Sequence, residues 1–175
     1  DGTPDKKIVF TSLKDDSYGG DTNGDGAASA PAKGNWSGII FASGSANNLL
    51  DNVVVKYAST GISVSTSSLT ISSSSISNNS LFGIRVSSAS PTITGNTISN
   101  NQYGIYAVNS SHPTIDGNTI TGNTAQDVYL DGTSSINKSP VANISSPKSG
   151  EIYTTAETVS FNGSQSSDPD GDVIT

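Results

Sequence analysis

The sequence predicts an all-β protein whose chain winds into a parallel β-helix, a coil of short strands stacked on itself. Two observations carry this expectation: apolar residues recur every 22 positions, and rows of asparagine recur with the same period. A third supports it, since helix-forming residues are scarce while Ser, Thr, Asn and Gly abound.

The apolar repeat comes first. Ile71, Ile93 and Ile115 lie 22 apart, as do Ile76, Ile98 and Ile120. A period in this range marks a solenoid. The Gly-Ile step recurs at Gly61-Ile62, Gly83-Ile84 and Gly104-Ile105, with Asp127-Val128 as its next counterpart. A looser turn runs through Leu50, Val55 and Ile62, and Ile8, Phe10, Trp36 and Ile39 read as one more turn carrying an insertion. Alternating runs such as Thr-Ile-Thr and Gly-Ile-Tyr-Ala-Val are strand patterns whose apolar side chains share one face. Three short strands per turn make a coil of about 22 residues, and neighbouring coils would lie ~4.8 Å apart. One coil cannot bury its apolar face, but a stack can. A leucine-rich repeat has a similar period, but it would need Leu at fixed positions and a helical return; here the repeated residue is Ile.

The corners repeat as well. Asn79, Asn101 and Asn123 form one row, and Asn96 and Asn118 form another, with Ser74 preceding. Asparagine tolerates the left-handed backbone of a tight corner. Stacked amides can also hydrogen-bond along the axis.

Composition sets bounds. A net charge of −7 and a pI near 4.3 exclude nucleic acid as the expected partner, because phosphate binding needs clustered Lys and Arg. The chain has no cysteine, so disulfides and thiolate metal sites are excluded. No apolar stretch approaches the ~20 residues that span a bilayer. Sequons stand at Asn35, Asn78, Asn109, Asn137, Asn143 and Asn162, and they permit glycosylation.

The strings TITGNTISNNQYGIYAV and TIDGNTITGNTAQDVYL resemble the right-handed parallel β-helix repeats of the NosD-like, carbohydrate-binding and sugar-hydrolase group. The opening KKIVFTSLKDDSYGGDTNGDG, followed by GNWSGIIF, resembles the first turn of secreted bacterial and archaeal β-helix proteins. The likeness covers roughly residues 6 to 132. It implies a fold but little about function, because such helices serve as lyases, hydrolases, adhesins and scaffolds.

After Asp131-Gly132 the repeat ends. The β-helix is thus expected over 1–132, with a calcium-loop-like insertion at 15–34, a linker at 133–147 and a further β segment at 148–175. The string SPVANISSPKSG…VSFNGSQSSDPDGDVIT resembles the first half of a PKD-type immunoglobulin-like domain, a partial β-sandwich. Half a sandwich exposes unpaired edges. The sequence therefore reads as a piece of a longer protein, or as a subunit that pairs these strands with a neighbour by strand addition.

Candidate sites follow. Asp21-Thr-Asn23-Gly-Asp25-Gly26 has the alternating oxygens and turning glycine of a calcium loop, with Asp15 and Asp16 close enough to contribute. The position of the closing Glu is Ala32. Asp168, Asp170 and Asp172 have similar spacing and also read as a plain Asp-Gly turn. Ca²⁺ is the only cofactor these patterns point to. Within the regular coils the acids are Asp51, Asp116, Asp127 and Asp131, and the bases Lys56 and Arg85, with Arg85 expected opposite Ala107. They read as lone solvated charges, not as the paired carboxylates of a glycosidase or the calcium and base of a lyase. His112, the sole histidine, reads as an exposed corner residue. Tyr57, Tyr103, Tyr106 and Tyr129, with Trp36 and Phe82, read as structural aromatics or a sugar-stacking surface. The rows Ser75/Thr97/Thr119 and Ser77/Ser99/Thr121 approach the hydroxyl array of an ice-binding β-helix, interrupted by serine.

The expectation is thus a non-catalytic structural module of an extracellular or prokaryotic cell-surface protein: an envelope layer (S-layer), adhesin, sheath or filament. Its partners would be copies of itself or other surface-protein domains. The rival is a carbohydrate-binding or polysaccharide-cleaving protein.

Overall fold

The computed structural model describes residues 2–138, 141–147, 152, 154 and 157–170. The chain divides into two units, Asp1–Ile136 and Asn137–Thr175. Asp172 lies outside the described residues.

In the first unit the strands follow one another around a coil. The first turn holds β1 (Ile8–Phe10), β2 (Ile39–Phe41) and β3 (Asn48–Asp51). The second holds β4 (Val53–Lys56), β5 (Thr60–Val64) and β6 (Leu69–Ser72). The third holds β7 (Ser75–Ser77), β8 (Phe82–Ser87) and β9 (Thr92–Thr94), and the fourth β10 (Thr97–Ser99), β11 (Tyr103–Val108) and β12 (Thr114–Asp116). β13 (Thr119–Thr121) and β14 (Gln126–Leu130) begin a fifth. Every third strand joins the same parallel sheet, giving the orders β1-β4-β7-β10-β13, β2-β5-β8-β11-β14 and β3-β6-β9-β12. This is a right-handed β-solenoid with a period of about 22 residues.

Register places the apolar residues in three axial rows. Phe10, Val55, Ile76, Ile98 and Ile120 stack in the first sheet. Ile39, Ile62, Ile84, Ile105 and Val128 stack in the second, and Leu50, Ile71, Ile93 and Ile115 in the third. The inner members, from Ile62 to Ile105, are fully buried, while Phe10, Ile39, Ile115, Ile120 and Val128 at the two ends are only partly covered. Burying one such side chain contributes roughly 1.5–3 kcal/mol, and only coils with neighbours on both sides gain it in full.

The asparagine rows are hydrogen-bonded ladders. Asn101 Oδ1 accepts from both the backbone N–H (3.0 Å) and Nδ2 (2.9 Å) of Asn79, and Asn123 Oδ1 does the same for Asn101, at 3.0 Å each. Asn79 Oδ1 accepts from the Ala58 N–H at 2.9 Å. In the second row Asn118 Oδ1 accepts both donors of Asn96 at 2.9 Å, Asn96 Oδ1 accepts the Ser74 N–H, and Ser74 Oγ accepts the Val53 N–H. A shorter serine row lies at the third corner, where Ser111 Oγ accepts the Ala89 N–H and Ser134 Oγ the Ser111 N–H.

The left-handed backbone lies one residue earlier than expected. Positive φ falls on Tyr57, Asn78, Asn100 and Gly122 at one corner and on Asn52, Ser73, Gly95 and Gly117 at the other. Each is the residue just before a ladder position. In the Asn78-Asn79 and Asn100-Asn101 pairs the first asparagine turns the chain and the second bridges coils. The physical reason is a division of labour within these pairs, where Asn78 and Asn100 keep some exposure while Asn79 and Asn101 are fully buried.

At the end of the solenoid, Asp131 accepts from the backbone N–H groups of Asn109 (2.8 Å) and Thr133 (3.0 Å) and from Thr133 Oγ1 (2.8 Å). The Asn109 N–H, the Ser134 hydroxyl and the Thr133 groups together lower its carboxyl to about 2, against their partial opposition by desolvation.

In the second unit, residues 141–146 run antiparallel to 162–167. Val141 bridges Ser167 and Ser146 bridges Asn162, and the Lys138 ammonium lies 3.8 Å from the Asp170 carboxylate. Residues 141–146, within the segment 133–147 that composition assigns to a linker, are therefore one side of a ribbon. Val141, Ile144 and Phe161 remain exposed.

Two outcomes follow from the ladders and corners. Asn101→Ala removes the acceptor for two buried donors, so it should destabilise the solenoid by about 2–4 kcal/mol; denaturant unfolding followed by β circular dichroism measures this, with exposed Thr121→Ala as the near-neutral comparison. Because the folded pKa of Asp131 is depressed, its stabilisation is present above about pH 4 and is lost as pH falls toward 2. Asp131→Ala should therefore lower the melting temperature at pH 7, and the difference from the unsubstituted chain should close by pH 2.

Candidate functional site

The solenoid offers two features beyond its regular coils, an insertion at one corner and an aromatic patch on one face. The insertion, residues 11–38, joins β1 to β2 where later turns use short corners such as 57–59 and 78–81. It is tied back onto those later corners. The Gly34 and Asn35 N–H groups donate to the Ala58 and Tyr57 carbonyls at 3.1 and 2.8 Å. Trp36 Nε1 donates to the Lys56 carbonyl at 2.8 Å, and the Lys33 ammonium donates to the Asn100 carbonyl. Lys56 Nζ lies 4.8 Å from the Tyr57 ring centroid and 5.3 Å from that of Tyr18, within cation–π range. Lys56 is thus a clamp on the insertion, which corrects its reading as a lone solvated charge. The insertion also forms a pocket of about 360 Å³ lined by Thr11, Ser12, Leu13, Lys14, Asn35 and Trp36.

The acidic residues of this insertion fall into distinct roles. Asp15 is buried and accepts from Thr11 Oγ1 (2.6 Å) and from Ser17 Oγ. Burial pushes its carboxyl up, but those hydroxyls and the Lys56 ammonium outweigh it and leave the group lowered. Asp21 turns back on its own loop, accepting the N–H groups of Asp25 (3.1 Å) and Gly26 (2.8 Å). Asp25 accepts from Asn23 Nδ2 and Ser29 Oγ. Asp16 is different. Its Oδ1 is buried without a hydrogen-bond partner, and desolvation, then Asp21, Asp25 and Asp15, raise its carboxyl. The loop brings these carboxylates within electrostatic reach of one another, yet among the described residues no three acidic or histidine side chains form a group able to hold a metal. Asp21 and Asp25 are engaged by the loop itself, which forms a hydrogen-bonded turn. In the second unit Asp168 Oδ1 accepts the Asp170 N–H at 2.8 Å, and Asp170 meets Lys138.

The second feature lies on the outer face of the sheet containing β8, β11 and β14. Tyr106 and Tyr129 are register partners, and their rings stack with centroids 4.6 Å apart and planes 8° apart. Phe82 lies 4.5 Å from Tyr106, and Tyr103 packs edge-on against both tyrosines of the stack at 5.2 and 5.9 Å. Arg85 pairs with Tyr106, not with Ala107, because the step from β8 to β11 is one residue shorter than the mean period. Such ring pairs add about 0.5–1.5 kcal/mol each beyond their burial. The Tyr106 and Tyr129 rings turn one face each toward the other.

The remaining candidates are dispersed. Asp51 accepts from Ser72 Oγ and Asn52 Nδ2, and Asp127 from Asn123 Nδ2. Asp116 and Asp127 belong to different sheets. His112 Nδ1 meets Ser135 Oγ at 2.8 Å on the surface. Of the sequon asparagines, Asn35, Asn109, Asn143 and Asn162 are exposed, while Asn78 and Asn137 are partly buried. The hydroxyl rows flank buried isoleucines as their spacing requires, and a second set, Thr70/Thr92/Thr114, stands on the third sheet. The signal for that set was the same Thr-Ile step one strand earlier.

A family model for the right-handed β-helix region matches residues 37–165 of the 175. No curated protein and no solved structure gives a significant match. With three parallel sheets, a period of about 22 residues and a match over most of its length, the chain belongs to the right-handed β-helix family.

Proposed function

We propose that this chain is a non-catalytic structural module of an extracellular or cell-surface protein, supplying a stiff, repetitive stalk. The observation that carries the reading is the use of three of the four in-coil acids. Asp51, Asp127 and Asp131 all accept hydrogen bonds that fix corners or ends of the stack. Carboxylates so engaged are poor general acids or bases, since proton transfer needs a group aimed at a substrate. The exposed Val141, Ile144 and Phe161 on the ribbon favour association through the second unit, either with further chain or with a neighbouring copy by strand addition.

A second reading, carbohydrate binding, rests on the Phe82, Tyr103, Tyr106 and Tyr129 cluster beside Arg85, the chain's single arginine. Calcium enters as a proposal on one observation: Asp16 is crowded by Asp15, Asp21 and Asp25, and a cation there would relieve the repulsion once Asp21 and Asp25 turned outward.

Electron microscopy of the native material tests the main reading. Ordered fibres or a lattice with a one-subunit repeat would support it. Dispersed particles that bind an acidic polysaccharide would replace it with the second. The two also differ at Tyr106→Ala/Tyr129→Ala: a structural patch loses melting temperature with no change on a glycan panel, whereas a binding patch loses glycan affinity. For calcium, titration calorimetry should give saturable heat that Asp21→Asn/Asp25→Asn abolishes; a flat titration removes the ion from the account.

A further inference from the structure

One axial row of the second sheet follows a rule that the sequence breaks once. Gly38, Gly61, Gly83 and Gly104 precede the register-matched Ile39, Ile62, Ile84 and Ile105 in successive coils. A Cβ on Gly61 would lie 2.6 Å from the Gly83 carbonyl oxygen and 2.8 Å from Asn79 Nδ2. On Gly83 it would lie 2.7 Å from the Gly104 oxygen and 2.8 Å from Asn101 Nδ2. On Gly104 it would lie 2.6 Å from Ile120 Cγ2 and 2.9 Å from Asn123 Nδ2. These atoms are backbone, buried ladder amide or core isoleucine, none of which can swing aside. All of them belong to the following coil.

The next position in the row is Asp127, before Val128, which pairs with Ile105. It is the first member of the row to carry a side chain. That side chain is bound to its own coil, where Asp127 Oδ1 accepts from Asn123 Nδ2 at 2.8 Å. A sixth coil in the same register would drive a backbone oxygen and a core side chain against the Asp127 Cβ, and would bury a carboxylate in the space the glycines leave empty.

We propose that Asp127 is a stop residue: it ends coil addition, so that neither a further coil of the same chain nor the first coil of a second copy can stack on β14 in register. The constraint is one-sided, since each glycine is crowded only from the C-terminal direction. Self-association of the kind proposed above must then use the ribbon or a lateral face, not end-to-end stacking of solenoids. Inward or edge-placed charges that block further strand pairing are a general way to protect open sheet edges.

The test adds the missing coil. A second copy of residues 112–134 is inserted after Ser134 of the full chain, with Asp127 of the first copy either retained or changed by Asp127→Gly. With Asp127 retained, the inserted segment should be cleaved readily in limited proteolysis and the melting temperature should not rise. With Asp127→Gly it should be cleaved about tenfold more slowly or better, reflecting a closed, packed coil, and the melting temperature should rise. Equal protection in both chains would show that the aspartate is accommodated and would overturn the proposal. Equal sensitivity in both would show that something other than Asp127 ends the stack, and would overturn it equally.

Discussion

The structure depends on a buried amide meeting the same buried amide one coil later. A coil corner leaves backbone N–H groups facing inward, where water cannot reach them, and an unsatisfied donor there is costly. Asn79, Asn96 and Asn101 resolve this by accepting hydrogen bonds from the preceding coil while donating to the next. The arrangement tolerates little drift in coil length at these corners. Once it is fixed, the isoleucine rows fall into register and the three sheets form beside it.

That constraint explains why some parts of the fold can be read from the sequence and others cannot. The Ile71/Ile93/Ile115 and Ile76/Ile98/Ile120 rows and both asparagine rows keep a strict spacing of 22, because a strand or ladder partner sits directly above each. The second sheet is looser. Ile84 and Ile105 are 21 apart and Ile105 and Val128 are 23 apart, since two residues separate Asn79 and Asn123 from this sheet but only one separates Asn101 from it; a fixed period therefore misplaces Arg85 opposite Ala107. The left-handed residue is not legible in an Asn-Asn pair, because its two members look alike until their side chains are seen to take different surroundings.

The insertion was visible as a break in the repeat, but its attachment was not. Nothing in the sequence spacing links Trp36 to Lys56 or Lys33 to Asn100, contacts made only because the insertion folds back along the stack. The Asp21–Asp25 motif shows the converse. Its spacing matches a calcium loop, yet the same spacing lets Asp21 close a turn on the Asp25 and Gly26 amides. Spacing alone does not separate these two uses.

Both asparagine rows also share one orientation. Every amide-to-amide bond runs from Nδ2 to the Oδ1 of the next coil, so each Oδ1 faces the N-terminal side, while the second N–H of Asn96 and Asn101 returns to the Ile71 and Ile76 carbonyls. Aligned amides in a low-dielectric interior polarise one another, so each row amounts to a small electrical axis with its positive pole at the C-terminal end of the stack. Asp127 places an anion at that pole, on Asn123 Nδ2, as an acidic residue does at the start of an α-helix. The solenoid therefore has a head and a tail that differ electrostatically, although its coils are nearly alike.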